Sequence, residues 1–237
     1  MDISVSYYSA TGSRENNEDA ASIQECRNGL LALVADGLGG HAKGEVASGI
    51  AAATINRQLM NKTPDEDALV EAIQMASDEI YKAQEGENRM RTTVAAAWIG
   101  DYMGLVANVG DSRIYQFRDG EIIYQSVDHS VAQMAVLVGE MRAEEIRNNP
   151  DRNKLIRVLG NEKAPKVDCE SISIQRGDRI LICSDGFWEP VEESVMAFTS
   201  KNSATAKEWL EKMKKVIAYA DRPEQDNHTA IAVIIND

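Results

Sequence analysis

The sequence predicts an α+β protein in which antiparallel sheets are covered by helices. Three observations support this class: short apolar segments with strand character recur along the chain, hairpin turns join many of them, and the helical patterns form separate groups rather than alternating with single strands. Because hairpins join antiparallel neighbours, a repeated strand–helix–strand unit with parallel strands is not expected.

The N-terminal part of the chain reads as three strands. Residues 3–8 alternate between polar and apolar side chains. Residues 20–25 and 29–35 form a strand pair, and Asn28-Gly29 between them is typical of a hairpin turn.

Two helices are expected next. Residues 45–61 are rich in alanine, with larger apolar residues at nearly helical spacing. The second helix is predicted to have Thr63 as its N-cap, Pro64 in the first helical position and Glu66 three residues after the cap. Its apolar face is formed by Leu69, Ala72, Ile73, Ala76 and Ile80.

The rest of the chain returns to strands, with helices near the end. Strands are predicted over residues 92–99, 103–109, 113–117, 121–125, 169–174, 178–183 and 229–235. Asp119-Gly120 is a second hairpin signal. Residues 130–160 are mixed, with short helices that Pro150 interrupts, and residues 192–199 and 205–219 have helical patterns.

Composition limits the function classes. The chain has 237 residues, 43% of them hydrophobic and 27% charged, which suits one sizeable core, and no linker-like stretch divides it, so we expect one domain over residues 1–237. A net charge of −13 argues against nucleic acid and anionic membrane as partners. Three cysteines without Cys-x-x-Cys spacing, and an N-terminus without signal-peptide character, favour a cytoplasmic location.

Two segments end in the same way. Residues 30–35 run into Asp36-Gly37, and residues 179–184 run into Asp185-Gly186. Each apolar run is typical of a strand that is covered on both faces. A carboxylate at the end of such a strand is costly to bury unless a cation lies beside it, so the pair indicates a shared metal site at one edge of a sheet.

Further carboxylates follow the same pattern. Glu18-Asp19, Asp111 and Asp226-Asn227 also lie at predicted strand ends or turns. Carboxylate and carbonyl oxygens are the ligands of hard cations such as Mg²⁺ and Mn²⁺, and glycine after aspartate lets its own carbonyl approach an ion. For a single Asp-Gly pair, a turn or a helix cap is the simpler explanation, whereas the repeated combination favours metal binding.

Two further side chains are candidates for catalysis. Arg14 either pairs with Glu15 or Glu18 at the surface or binds a phosphate group with its planar fork. His41, in the glycine-rich loop after Asp36, either protonates a leaving group or structures its loop. The sequence lacks His-x-His and His-Glu-x-x-His, which argues against a zinc site.

Taken in order, these motifs carry a resemblance along nearly the whole chain. They are Arg14-x-x-Asn17-Glu18-Asp19, Asp36-Gly37-Leu38-Gly39-Gly40-His41, Thr92-Thr93, Gly110-Asp111-Ser112-Arg113, Asp128-His129-Ser130, Arg157-Val158-Leu159-Gly160, Ser184-Asp185-Gly186 and Asp226-Asn227-His228-Thr229. The set resembles the metal-dependent protein serine/threonine phosphatases of the PPM or protein phosphatase 2C family, in their compact bacterial form. The chain departs from the family pattern at Arg91, where glycine is usual, and at Asn149, where histidine is common.

The resemblance implies a four-layer α-β-β-α sandwich of two antiparallel sheets with a binuclear Mn²⁺ or Mg²⁺ centre at one end. By the same resemblance, residues 128–160 form a flap beside the active site that influences substrate choice. Asp36 would bridge the two ions, and Arg14 would hold the phosphate. The other implied ligands are the Gly37 carbonyl, Asp185 and Asp226 at one ion, Glu18 and Asp19 at the other, and Asp111 at a weaker third ion.

The function expected from the resemblance is hydrolysis of phosphoserine and phosphothreonine in signalling proteins, by a hydroxide that bridges the metal ions and attacks phosphorus in line. Phosphorylated proteins would be the substrates, a Ser/Thr kinase is a suggested partner, and we expect a monomer. Two alternatives differ in class: a catalytically silent regulator with the same fold, and a phosphatase for small phosphorylated metabolites. Turnover of an aryl phosphate distinguishes an enzyme from a silent regulator. A comparison of peptide with metabolite turnover distinguishes a protein phosphatase from a metabolite phosphatase.

Overall fold

Strands that are apolar on both faces build two sheets that pack against each other, and helices cover the outer face of each sheet. The computed structural model describes residues 2–39, 43–84, 89–220 and 224–236. The strands are β1 Ile3–Ala10, β2 Asp19–Cys26, β3 Gly29–Leu38, β4 Arg91–Thr92, β5 Val94–Ile99, β6 Met103–Val109, β7 Arg113–Arg118, β8 Glu121–Gln125, β9 Asp168–Ser173, β10 Arg179–Cys183 and β11 His228–Ile235. The helices are α1 Gly44–Leu59, α2 Glu66–Ala83, α3 Val131–Leu137, α4 Asp185–Trp188, α5 Glu193–Lys201 and α6 Ala206–Ala220, with a 3₁₀ helix over Ala143–Asn148.

Both sheets are antiparallel. The first sheet has five strands in the order β1-β11-β10-β7-β8, and the second has the order β2-β3-β5-β6-β9 with β4 paired to β3. Every strand pair in both sheets is antiparallel. The fold class and the four-layer sandwich predicted from the sequence are therefore confirmed.

The alternation of side chains along β3 shows how the layers are held. Leu31 and Leu33 point outward and pack with α1 and α2, whereas Ala32 and Val34 point inward into the core between the sheets. All four are fully buried. β10 repeats this arrangement in the other sheet, with its outward side chains packed in a core that includes Trp209 of α6. The continuous apolar runs in the sequence therefore correspond to strands with two covered faces.

Three local predictions are wrong. Helix α2 begins two residues later than expected, because the Asp65 carboxylate accepts a hydrogen bond of 2.8 Å from the Ala68 N–H and so caps the helix in place of Thr63. The strand predicted over residues 92–99 is interrupted at Thr93, whose N–H donates to the Asp36 carbonyl at 2.9 Å. The residues after β10 form the one-turn helix α4 instead of a turn.

None of the helices in the described part of the chain combines the length and the apolar character needed to cross a bilayer.

Strand directions bring several chain segments to one end of the sandwich. β3 and β6 run the same way, since each is antiparallel to β5, and β2 starts where β3 ends. In the other sheet, β11 starts where β1 and β10 end. The acidic motifs of the sequence lie at these strand ends.

Candidate metal centre

The acidic motifs line a pocket of about 380 Å³ at this end of the sandwich. Of the predicted metal ligands, Glu18, Asp36, Gly37, Asp111, Asp185 and Asp226 line it, together with Arg14. Asp19 lies behind Asp36, as its partner in the β2–β3 register. The antiparallel topology therefore brings together residues that span more than two hundred positions of the chain.

Asp36 and Asp185 come from segments of different sheets and line the same pocket. Asp36 lies near the end of β3, and Asp185 is the first residue of α4, two residues after β10 ends. Loss of hydration, followed by the charges of Asp185 and Asp19, raises the pKa of Asp36 well above its ordinary value. Burial and the charge of Glu189 raise the pKa of Asp185 to about 7.

One carboxylate oxygen of Asp19 has a hydrogen-bond partner and the other has none. The Ser184 hydroxyl donates to Oδ2 at 2.8 Å, whereas Oδ1 is buried and has no hydrogen-bond partner. Burial raises the pKa of Asp19 to about 6, against the opposing effect of its hydrogen bonds. A buried carboxylate oxygen without a donor costs free energy unless it meets a cation or an ordered water.

Asp111 and Glu18 border the same space. Asp111 is buried, and its backbone carbonyl accepts a hydrogen bond of 3.0 Å from the Trp188 indole. Burial, followed by the charge of Asp185, raises the pKa of Asp111 well above its ordinary value. Burial also raises the pKa of Glu18. Burial is the largest cause of each of these shifts, and the charges of neighbouring carboxylates add to it.

Arg14 pairs with neither Glu15 nor Glu18. Its guanidinium forms a two-point ion pair with Asp226, with Nε to Oδ1 at 3.0 Å and Nη2 to Oδ2 at 2.7 Å. The hydrogen bond and the charge of Asp226 raise the pKa of Arg14 further. The guanidinium of Arg14, predicted either to pair with Glu15 or Glu18 or to bind a phosphate, thus binds a predicted metal ligand.

Two of the expected glycines lie where no side chain fits. A Cβ at Gly37 would lie 2.2 Å from the Gly44 carbonyl oxygen, and one at Gly186 would lie 2.1 Å from the Asn227 carbonyl oxygen. These close backbone approaches hold the Asp36 and Asp185 loops against their neighbours.

Gly186→Ala is therefore expected to lower the melting temperature by about 5 °C or more and to reduce activity, because the new methyl group displaces the Asp226 loop. Gly49→Ala is the matched control, since an added Cβ there meets no atom within 4 Å and lies in the middle of α1, where alanine is favoured. Differential scanning calorimetry of both variants tests this. Equal melting temperatures for the two variants would contradict it.

Supporting residues without a predicted role hold the ligands in place. Thr93 Oγ1 accepts from the Asp36 N–H at 3.0 Å, and Thr92 Oγ1 donates to the Asp36 carbonyl at 2.8 Å. Asn227 Oδ1 accepts from the Glu18 N–H at 2.7 Å, and its amide donates to the carbonyls of Thr11 and Asn16. These residues belong to the motifs quoted from the sequence, and that was the signal that could have identified them.

The carboxylates line the pocket but do not form a complete metal-ligand set. Among the residues that the structure describes, no three histidine, cysteine or acidic side chains make up a ready ligand set for a metal ion. The Asp226 oxygens are in addition engaged by the Arg14 guanidinium. The free Asp19 oxygen, the raised carboxyl pKa values and the all-oxygen donor set nevertheless fit hard divalent cations.

The histidines occupy different environments. His41, predicted as a candidate proton donor, lies outside the described residues. His129 and His228 are buried and hydrogen-bonded, His129 to the Gly110 N–H and to Asp168, and His228 to the Tyr8 hydroxyl.

Comparison with known proteins identifies the class to which this fold and site belong. Residues 8–221 match the family model of protein phosphatase 2C, and the chain belongs to this family. It is a metal-dependent serine/threonine protein phosphatase.

Individual relatives agree with this assignment. The chain is 34% identical over 205 residues to the serine/threonine phosphatase stp of Listeria monocytogenes, covering 82% of this chain and 81% of the relative. It is similar to the crystal structure of the serine/threonine phosphatase Stp1 from Staphylococcus aureus, with a TM-score of 0.90 and 28% identity over 100% of this chain and 96% of that one. The catalytic domain of the phosphatase PstP, solved with two manganese ions, gives a TM-score of 0.83 at 27% identity with full coverage of both chains.

Proposed function

We propose that the acidic pocket is the catalytic centre, at which phosphoserine and phosphothreonine of protein substrates are hydrolysed. One observation carries this proposal: Asp36 and Asp185, from segments of different sheets, line one pocket together with Asp226 and Asp111. Carboxylates held this close without a cation favour binding of positive charge.

The proposed ions are Mn²⁺ or Mg²⁺, two in number with a weaker third. The two manganese ions in the PstP structure support the pair. Asp36 would bridge the pair, Gly37, Asp185 and Asp226 would complete one ion, and Glu18 and Asp19 would hold the other. Asp111 would contribute to the third. When bound, the ions supply an activated water and offset the negative charge of the phosphate.

Arg14 and Asp226 change partners in this proposal. The two guanidinium nitrogens that bind Asp226 are those needed for two-point contact with a phosphate group. Arg14 therefore has to leave Asp226 before it can hold the substrate, and that release frees Asp226 Oδ2, whereas Oδ1 still accepts from the Asn227 N–H at 2.8 Å. His41 stays a predicted proton donor for the leaving group.

We propose that the protein is a monomer with a single domain of residues 1–237 and that it lies in the cytoplasm. Its substrates would be phosphorylated signalling proteins, and a Ser/Thr kinase would be a partner. The three described cysteines are all free, which supports a reducing compartment.

Residues 128–160 would form the flap. This segment contributes Asn153 and Leu155 to the wall of the pocket, which supports a role beside the substrate.

A metal-dependent assay tests the proposed function. Purified protein is expected to hydrolyse a phosphothreonine peptide and an aryl phosphate with Mn²⁺, and to lose both activities after exhaustive chelation. Full activity without metal would contradict the mechanism. No turnover of either substrate would favour a silent regulator, and a preference for small metabolites over peptides would favour a metabolite phosphatase.

Arg14→Ala is expected to lower kcat/KM for the phosphothreonine peptide by about 100-fold, because a two-point charged contact to the phosphate is lost. Arg14→Lys keeps the charge without the planar fork and is expected to recover only part of this loss. Steady-state kinetics at saturating Mn²⁺ measure both. A lysine variant equal to wild type would show that charge alone is needed.

A further inference from the structure

The outer face of helix α3 is apolar although it faces solvent. Val131, Met134, Leu137 and Val138 are exposed to 40%, 44%, 63% and 64%. At 100° per residue these four positions fall within a sector of about 120° on one side of the helix. We call these four residues the α3 face.

The opposite side of α3 already has its own packing. Ala132 is buried, and Val136 packs against the core that includes Ile146 of the 3₁₀ helix. A helix that is apolar on both sides is normally buried on both sides. The α3 face therefore resembles a surface that is covered when the protein acts.

The α3 face is continuous with the catalytic pocket. Leu155 lines the pocket and forms an antiparallel bridge with Ser130, the N-cap of α3. The Val131 N–H donates to the Lys154 carbonyl at 2.9 Å, which fixes the first residue of the face beside the pocket wall. A protein substrate that places its phosphate in the pocket can lie over this part of the rim.

We propose that the α3 face binds large apolar side chains of the phosphoprotein substrate, a proposal that rests on the proposed function. Helix α3 is about 10 Å long and an extended chain advances about 3.3 Å per residue, so the face spans about three residues of an extended substrate segment.

A second copy of this chain fits the face less well. The exposed area of its four side chains is on the order of 400 Å². Stable protein interfaces bury about 800 Å² on each partner. The area suits a short peptide segment rather than a dimer interface.

Two phosphothreonine peptides of equal length and charge test the proposal. One carries leucine and phenylalanine among the residues that flank phosphothreonine, and the other carries serine and glutamine at the same positions. Wild type is expected to show a kcat/KM about tenfold higher for the apolar peptide. In the double variant Met134→Ser/Leu137→Ser, this ratio is expected to fall to about twofold or less. Because the readout is the ratio of the two kcat/KM values, a change in activity that affects both peptides equally cancels.

Phe198→Ser is the matched control, since Phe198 is 70% exposed on α5 and should leave the ratio unchanged. An unchanged ratio in the double variant would overturn the proposal, and so would a wild-type dimer that the double variant abolishes. Fluorescence anisotropy of both peptides on metal-free protein measures docking without turnover. It decides the proposal even if the proposed catalytic function fails.

Discussion

Asp36→Asn is expected to reduce Mn²⁺-dependent turnover of a phosphothreonine peptide by at least about 1,000-fold. Asp36 lies where carboxylates from both sheets line one pocket, since it lines the pocket together with Asp185 and lies opposite Asp19 in the β2–β3 register. An amide keeps the shape of the side chain, but it cannot supply the negative charge that two cations would share. Steady-state kinetics and calorimetric titration with Mn²⁺ measure the loss of turnover and of metal affinity.

The same substitution is expected to leave metal-free stability unchanged or to increase it. The raised pKa of Asp36 means that its ionised form opposes folding in the absence of metal, whereas asparagine is neutral at every pH. Loss of activity together with retained stability would therefore separate a functional carboxylate from a structural one.

Asp178→Asn provides the contrast. Asp178 is fully buried before β10, at the opposite end of that strand from Asp185, and it accepts hydrogen bonds from Gln116 and Arg118. Its replacement is expected to lower the melting temperature while turnover per folded molecule stays near wild type. An Asp36→Asn variant within tenfold of wild-type activity would contradict the proposed centre.

The sequence was sufficient to predict where the acidic residues lie because strand patterns are local. The apolar runs before Asp36 and Asp185 reflect burial on both faces, and the hairpin signals at Asn28-Gly29 and Asp119-Gly120 lie between paired strands. Antiparallel pairing then brings strand ends together without further information.

Features that depend on distant partners could not be predicted in this way. The Arg14–Asp226 pair joins residues 212 positions apart, and a planar fork can bind a carboxylate or a phosphate equally well. Gly186 needs its missing side chain because of the Asn227 carbonyl, which belongs to a different strand end. Even the local error at α2 arose from competition, since Thr63 and Asp65 are both good caps and only one can start the helix.

The second large effect is expected in the pH dependence of metal-free stability. In a chelator, the free energy of unfolding should fall as the pH rises from 5 to 8. Carboxyls with raised pKa values keep their protons in the folded protein after the unfolded chain has lost them. Their contribution is complete below about pH 4 and is lost as the pH rises through the folded values of about 6 for Asp19 and about 7 for Asp185.

Other groups titrate differently and do not cancel this trend. Carboxyls with lowered pKa values, such as Asp168 and Glu193, change the pH dependence of the free energy of unfolding only below about pH 4.5. Burial lowers the pKa of His129, so its contribution rises with pH, but only up to about pH 6.5. Each carboxyl that stays protonated only in the folded state contributes a slope of about 1.4 kcal/mol per pH unit, so the site outweighs one histidine.

Urea unfolding in chelator at pH 5, 6, 7 and 8 measures this dependence, with Asp185→Asn expected to flatten it and Glu121→Gln, an exposed carboxylate on β8, expected to leave it unchanged. Saturating Mn²⁺ should reverse the trend, because the ions bind the ionised carboxylates and compete with protons. The reversal ties stability to the metal: the acidic cluster destabilises the empty fold and stabilises the loaded one. A metal-free stability that increases steadily from pH 5 to 8 would mean that these carboxylates are not crowded, and the proposed centre would lose its physical basis.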